Sequence, residues 1–366
     1  MRAQEWNHVD RDQHAAGYYV HLIDGDPASN GHDQVALRLL GQPPEWTDFY
    51  SIDPLDYLPR NPRQFQLKPG ISRVAFGKPF TTNSLGLRDR HADPIPHPGV
   101  FRIAILGSSI DMGWGVGDTE TYEHHLENWL NQQAETRGLP RRFEVLNCAM
   151  AAHSPYHRLL TYQHALRAWQ PDLILYAATL IDARLLEIHL LGLIGEHVPT
   201  SSQAIAKALD QLGLPAYPEP RMRPLTPLDR KYLKQALQPL LDPLADQLIA
   251  ELAAATRAEG DHLAILLVPR ASDHAHSPQR GRTQSRLAAL AIQLQIPFID
   301  LSTTFDATEQ VEIAVAPWDD HPNARGHVLL FHRLAQALLT QPELSALLFN
   351  PESCPLSQSD LPSNPN

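Results

Sequence analysis

The sequence predicts an α/β fold, a three-layer α/β/α sandwich around a five-stranded parallel sheet. Three observations predict it. Five short apolar runs follow Arg102, longer segments of helical periodicity separate them, and the runs are continuous in Ile, Leu, Val and Ala instead of alternating with polar residues. Continuous apolar strands are expected where both faces of a parallel sheet are buried, and the intervening helices supply the crossovers that parallel pairing requires.

The elements follow in order. The first 100 residues hold short mixed segments such as FQLKPG and PFTTNSLGLRD, too poor in apolar residues for a separate core, and are expected to form an arm (1–100) packed on the main domain (101–345). The strand RIAILG is followed by a helix over 120–137, FEVLNCA by a helix over 154–169, LILYAAT by a long helical region, and HLAILLVP by a helix over 280–295; FIDLS is the fifth strand. Residues 183–258 exceed what one crossover needs and hold at least two helical stretches around the Pro-rich PAYPEPRMRPLTP, so they read as a helical insertion. The last helix spans Ala324–Leu339, with Asn323 as N-cap and Val328, Phe331, Leu334 and Leu338 facing the sheet. Residues 346–366 read as a Pro/Ser-rich tail. The 32 prolines gather before about residue 100, between about 215 and 245, and after about 350, where irregular structure is expected.

Composition narrows the function. Of 366 residues, 43% are hydrophobic and 19% charged, a balance suited to a folded chain. Acidic residues outnumber basic ones by 41 to 30 and no Lys/Arg-rich run occurs, which argues against a nucleic-acid partner. No apolar run approaches the roughly 18 residues of a membrane span, and no export signal is evident, so the expected location is cytoplasmic. Cys148 and Cys354 alone do not make a disulfide framework.

In a parallel α/β sheet, ligands bind beyond the carboxyl ends of the strands. The strand Arg102–Leu106 runs into Gly107-Ser108-Ser109-Ile110-Asp111-Met112-Gly113-Trp114-Gly115, a tight strand-to-helix turn that exposes a serine hydroxyl and aims its own amide at an anion. Serine needs a base, and the base needs an orienting group. The segment Pro317-Trp318-Asp319-Asp320-His321-Pro322-Asn323 offers both: His321 as base and, because residues two apart in an extended segment point the same way, Asp319 as partner, with Asp320 the alternative.

These residues give the chain a resemblance to the SGNH/GDSL hydrolases, a superfamily of esterases, lipases and carbohydrate O-acetyl handling enzymes. Four blocks carry the likeness over about residues 80 to 340: ILGSSIDMGWGVGDTETY, VLNCAMAAHS, PDLILYAATLID and DDHPNARGH. Upstream, TTNSLGLRDR is similar to a lead-in of members linked to bacterial polysaccharide acylation, which points to ester groups on sugars. The resemblance implies Ser109 as nucleophile, His321 as base, Asp319 as its partner, and the backbone amides of Ser109 and Ala149 as oxyanion donors, with no cofactor and no metal. The chain departs from the family pattern at four positions. Ser108 replaces the usual Asp, Ala149 the usual Gly, and Trp318 occupies the site three before the histidine where many members place their Asp. Ile181 replaces the Asn that donates to the oxyanion, and loss of one such donor costs on the order of 100- to 1000-fold in rate; Thr179 and His153 are candidate substitutes.

Other residues carry bland readings. His327 reads as a helix histidine without a role, and Cys148 as a small buried residue. Ala271-Ser272-Asp273-His274-Ala275-His276 reads as a solvated loop at the mouth of the site, since a His-x-His pair without a third ligand is weak evidence for metal. Met112 and Trp114 fit either an acyl or glycan pocket or packing on the core. The leading reading is a serine esterase or acyl hydrolase acting on carboxylic esters, possible substrates being O-acetylated carbohydrates. The alternatives are an O-acyltransferase, a catalytically degenerate module that binds an acylated glycan or partner, and a flavodoxin-like phosphate or nucleotide binder.

Overall fold

The computed structural model describes residues 41–350 apart from 44, 45, 47, 91, 215–224, 274 and 276. Most of the expected arm's first half, the centre of the Pro-rich stretch, both histidines of the 271–276 loop, Cys354 and the tail beyond 350 therefore lie outside the described residues.

Strands β1 (Leu55–Tyr57) to β4 (Lys78–Thr81) belong to the arm: β1 pairs with β2 (Phe65–Leu67), and β3 (Ser72–Ala75) with β4, both antiparallel. The main sheet consists of β5 (Val100–Leu106), β6 (Arg142–Asn147), β7 (Leu173–Ala178), β8 (His262–Leu267) and β9 (Phe298–Asp300). Their order is β6-β5-β7-β8-β9, with every pair parallel. These are the five strands expected from the apolar runs.

Alternate residues of each strand go to opposite faces, as a two-residue period requires. Leu106, Leu146, Ile174, Tyr176 and Ile265 pack with the helices Pro155–His164, Asp182–Glu196, Gln203–Gln211 and Leu241–Glu259. Ile103, Ile105, Val145, Leu175 and Leu266 pack on the other face with Tyr122–Arg137, Ala324–Thr340 and Pro342–Phe349. The three-layer sandwich is thus present, with both faces of the sheet covered. Among the described residues, the segment 183–258 contains the greater part of four α-helices, with Pro227–Leu237 completing the set.

The closing helix Ala324–Thr340 has Asn323 at its N-cap, accepting from Gly326 N at 3.1 Å. Its inward stripe differs from the expected one. His327, Leu330, Leu334 and Leu338 are buried, whereas Val328 and Phe331 are half-buried. The His327 ring can occupy an inward position because its Nδ1 accepts from Tyr122 N at 3.1 Å and its face stacks on the Tyr122 ring.

A third cluster joins the arm to the carboxyl end of the sheet. Phe49, Leu55, Phe65, Ile71 and Phe80 of the arm pack with Met112, Trp114, Ala149–Ala152, Leu185 and Ile188. Met112 and Trp114 therefore serve as core. Arg88, in the TTNSLGLRDR segment, is buried beneath this layer, donates to the carbonyls of Met112, Gly113 and Val116, pairs with Asp118, and stacks over Phe80. The arm thereby fixes the backbone that follows Ser109.

Candidate active site

The strand order reverses between β5 and β7, so a crevice is expected beyond their carboxyl ends. Ser109 stands there, three residues past the end of β5, as first residue of a short helical turn Ser109–Met112. Asp111 holds this turn: its carboxylate accepts from Ser108 N at 2.8 Å and from the Tyr122 hydroxyl at 2.8 Å. Gly107 is required by close approach, because a Cβ there would lie 2.2 Å from Asp111 Oδ2. Burial raises the Asp111 pKa to about 6, against the lowering effect of these hydrogen bonds.

His321 comes from a second hairpin. Strands β10 (Ala314–Ala316) and β11 (Asp319–Pro322) pair antiparallel with a register shift between Ala314 and Ala316. The hairpin lies tight against the loop after Ser109, since a Cβ on Gly115 would meet Val315 Cγ2 at 2.2 Å and its φ of 92° already favours glycine. This approach brings His321 Nε2 to 2.8 Å from Ser109 Oγ.

On the other edge of the imidazole, His321 Nδ1 lies 2.5 Å from Asp319 Oδ1, which also accepts from His321 N at 3.2 Å. Asp320 makes its hydrogen bonds elsewhere. It accepts from the Ser272 hydroxyl, and Arg270 Nη1 lies 3.4 Å from its Oδ2. Burial lowers the His321 pKa, but Asp319, by charge and hydrogen bond, together with Asp320, outweighs burial and holds it above 6.5. Ser109 is fully buried and His321 is 6% exposed.

The second-block loop is tied to the nucleophile turn, with Met150 N donating to Gly107 O at 3.4 Å and Asn147 Nδ2 to Asp111 O at 3.0 Å. Ala149 N already donates to Asn147 Oδ1 at 3.2 Å. Ile181 is a half-buried neighbour of the arm cluster. Of the two candidate substitutes for the missing Asn, Thr179 commits its hydroxyl to Asp182 Oδ1 at 2.8 Å, and Asp182 pairs with the buried Arg158. His153 sits against the arm, its ring stacked on His157 with centroids 5.0 Å apart.

Two other readings have structural counterparts. Cys148 is fully buried, and burial pushes its thiol pKa up, away from nucleophilic use. Among the described residues, Asp319, Asp320 and His321 form one group whose potential ligand atoms lie within 4.8 Å of one another. The partners just given account for all three without an ion. Sequence reasoning missed Asp111 and Arg88. The Ser-x-x-Asp spacing of Ser108 and Asp111, a helix-start signature, was the available signal for Asp111.

No family model matches the chain, and no curated protein matches it significantly. Solved structures do match at low similarity. One is LAE5, an α/β hydrolase enzyme from the metagenome of Lake Arreo, Spain, at 16% identity and a TM-score of 0.41, covering 66% of this chain and 96% of that one. A second is a catalytic mutant of Axe2, an acetylxylan esterase from Geobacillus stearothermophilus, at 12% identity and a TM-score of 0.42, covering 66% and 94%. A third is a two-domain esterase active on acetylated mannans, at 14% identity and a TM-score of 0.40, covering 72% of this chain and 52% of that chain. Among the described residues no helix is long and apolar enough to cross a membrane.

Proposed function

We propose that this chain is a serine esterase or acyl hydrolase acting on carboxylic esters through an acyl-Ser109 intermediate. The observation that carries the reading is the continuous relay Ser109 Oγ, His321 Nε2, His321 Nδ1, Asp319 Oδ1, with contacts of 2.8 and 2.5 Å. With Nδ1–H donating to Asp319, the Nε2 lone pair faces the serine hydroxyl. Ser109 Oγ attacks the acyl carbonyl as its proton passes to Nε2; the alcohol leaves with that proton. His321 then takes a proton from water, whose oxygen attacks the acyl carbonyl, and returns that proton to Ser109 Oγ as the serine leaves and the acid is released.

The oxyanion of each tetrahedral intermediate would face the amides of Ser109 and Ala149, the second shared with Asn147. With Ile181 in place of a side-chain donor, turnover is expected to be slow. Because Ser109 is covered, substrate must displace side chains to reach it, which favours small acyl groups. The resemblance to members linked to polysaccharide acylation supports O-acetyl sugars as the natural class. The same acyl-enzyme would serve an acyltransferase if a sugar hydroxyl replaced water.

The covered Ser109 and Ile181 also favour a second reading, a degenerate module that binds its ligand without turnover. Incubation with p-nitrophenyl acetate followed by acid quench and peptide mass spectrometry separates the two. Nitrophenol release with a transient acetyl group on the Ser109 peptide supports the esterase; neither signal leaves the binding module.

A further inference from the structure

We propose that Arg63, Gln64 and His153 form a binding site for a carboxylate carried by a sugar ring, beside the Ser109 site. Arg63 and Gln64 immediately precede β2, at the junction between the arm and the second-block loop. Gln64 adopts φ 56°, and Phe65 N donates to Arg63 O across it at 2.6 Å, a conformation that residues with side chains rarely adopt. The Gln64 side chain is 7% exposed, yet neither its Nε2 nor its Oε1 has a hydrogen-bond partner among the described residues.

Two neighbours share this property. His153 is 6% exposed and its Nδ1 has no partner among the described residues. Burial, then the charges of Arg158, His189 and Arg63, push its pKa to about 3, so the ring is neutral and keeps one N–H to donate. The half-buried Arg63 guanidinium has no ion pair or side-chain hydrogen bond among the described residues, and desolvation alone lowers its pKa. The Phe65 ring, next in sequence, packs beside His153 and His157, its centroid 6.1 Å and 5.1 Å from theirs.

Nearly all buried polar groups have partners, so the Arg63–Gln64 pair, whose next residue Phe65 packs on His153, asks for a ligand. Arg102 is bound by Glu144 and three carbonyls, and Arg158 pairs with Asp182 and Tyr176 through its terminal nitrogens while its Nε has no partner; Arg63 has neither an ion pair nor a side-chain hydrogen bond among the described residues. Arg63 presents a planar fork that matches the two oxygens of a carboxylate. The Gln64 amide and the His153 ring add uncharged donors, while Gln64 Oε1 can accept from a hydroxyl, a set suited to a carboxylated sugar. One guanidinium in a chain of net charge -11 is a poor match for a phosphate dianion. The loop carrying His153 also carries Ala149 and touches Gly107, so the site adjoins the nucleophile turn. Its place in turnover rests on the esterase reading; its binding does not.

The test is calorimetric titration of the whole protein with D-glucuronate, glucose and inorganic phosphate. Saturable glucuronate binding is expected, with glucose and phosphate at least about tenfold weaker. Arg63→Ala should weaken glucuronate at least about tenfold. Gln64→Glu, which places a carboxylate beside the guanidinium, should abolish binding while Tm stays level or rises, so that misfolding is not the cause. Absence of glucuronate binding, equal binding by Arg63→Ala, or phosphate binding as tight as glucuronate overturns the proposal. Turnover of p-nitrophenyl acetate without glucuronate binding sinks this site alone, whereas binding without turnover sinks the esterase reading alone.

Discussion

His321 Nε2 lies 2.8 Å from Ser109 Oγ although 212 residues separate the two in the chain. Two segments produce this contact, the strand-to-helix turn tied by Asp111 and Arg88 and the β10–β11 hairpin set by the approach of Val315 to Gly115. The same geometry distinguishes the two adjacent aspartates. Asp319→Asn should lower kcat by on the order of 10⁴-fold, since the amide no longer fixes the imidazole tautomer or stabilises the imidazolium. Asp320→Asn, which leaves the Asp319–His321 hydrogen bond in place and removes only a more weakly acting charge and the contacts to Ser272 and Arg270, should cost less than about tenfold. Steady-state kinetics of both variants decide it, and equal losses would contradict the assignment.

His321 must be neutral to accept the serine proton. Burial lowers its pKa and the Asp319 and Asp320 charges more than restore it, so kcat/KM should rise with pH to a plateau through an apparent pKa above 6.5. Asp319→Asn should move that midpoint down. For stability the sign follows from the raised pKa: the Asp319–His321 contribution is fully present below 6.5 and is lost as pH rises through the folded-state value. A wild-type midpoint clearly below 6.5 contradicts this balance of charges.

Ile181→Asn should increase kcat about 100-fold by supplying the side-chain donor that the third block lacks. Single-turnover acylation rates provide the check. No increase would mean that another group already fills the role or that position 181 does not face the oxyanion.

Arg88→Met should destabilise the fold by about 3–5 kcal/mol, because it removes a buried cation and strands the carbonyls of Met112, Gly113 and Val116. Urea unfolding measures the loss. A change within about 0.5 kcal/mol would contradict the clamp, since substitutions without such contacts fall in that range.

The sheet was legible because each strand is buried on both faces, so Ile103–Leu106 or Leu173–Ala178 carries an unbroken apolar signal. Ser109 and His321 could be paired because a serine nucleophile needs a base and because the ILGSSIDMGWG and DDHPNARGH segments resemble two blocks of one family; no spacing places them together. The arm was less legible. Its strands are three or four residues long, too short for periodicity, and its core uses Trp114 from the loop after β5 and Ala149–Ala152 from the loop after β6. Hydroxyl direction is not written in sequence either, which is why Thr179 stayed a candidate donor until its bond to Asp182 was seen. Gln64 sits in a left-handed turn without the glycine or asparagine that normally announces one.

The most direct measurement is labelling with a fluorophosphonate, mapped by peptide mass spectrometry, on wild type, Ser109→Ala and His321→Ala. The account expects one adduct on Ser109 in the wild type, none in Ser109→Ala, and labelling slowed by on the order of 1000-fold in His321→Ala. A wild-type protein that reacts elsewhere, or remains unlabelled while p-nitrophenyl acetate is turned over, would contradict Ser109 as the nucleophile.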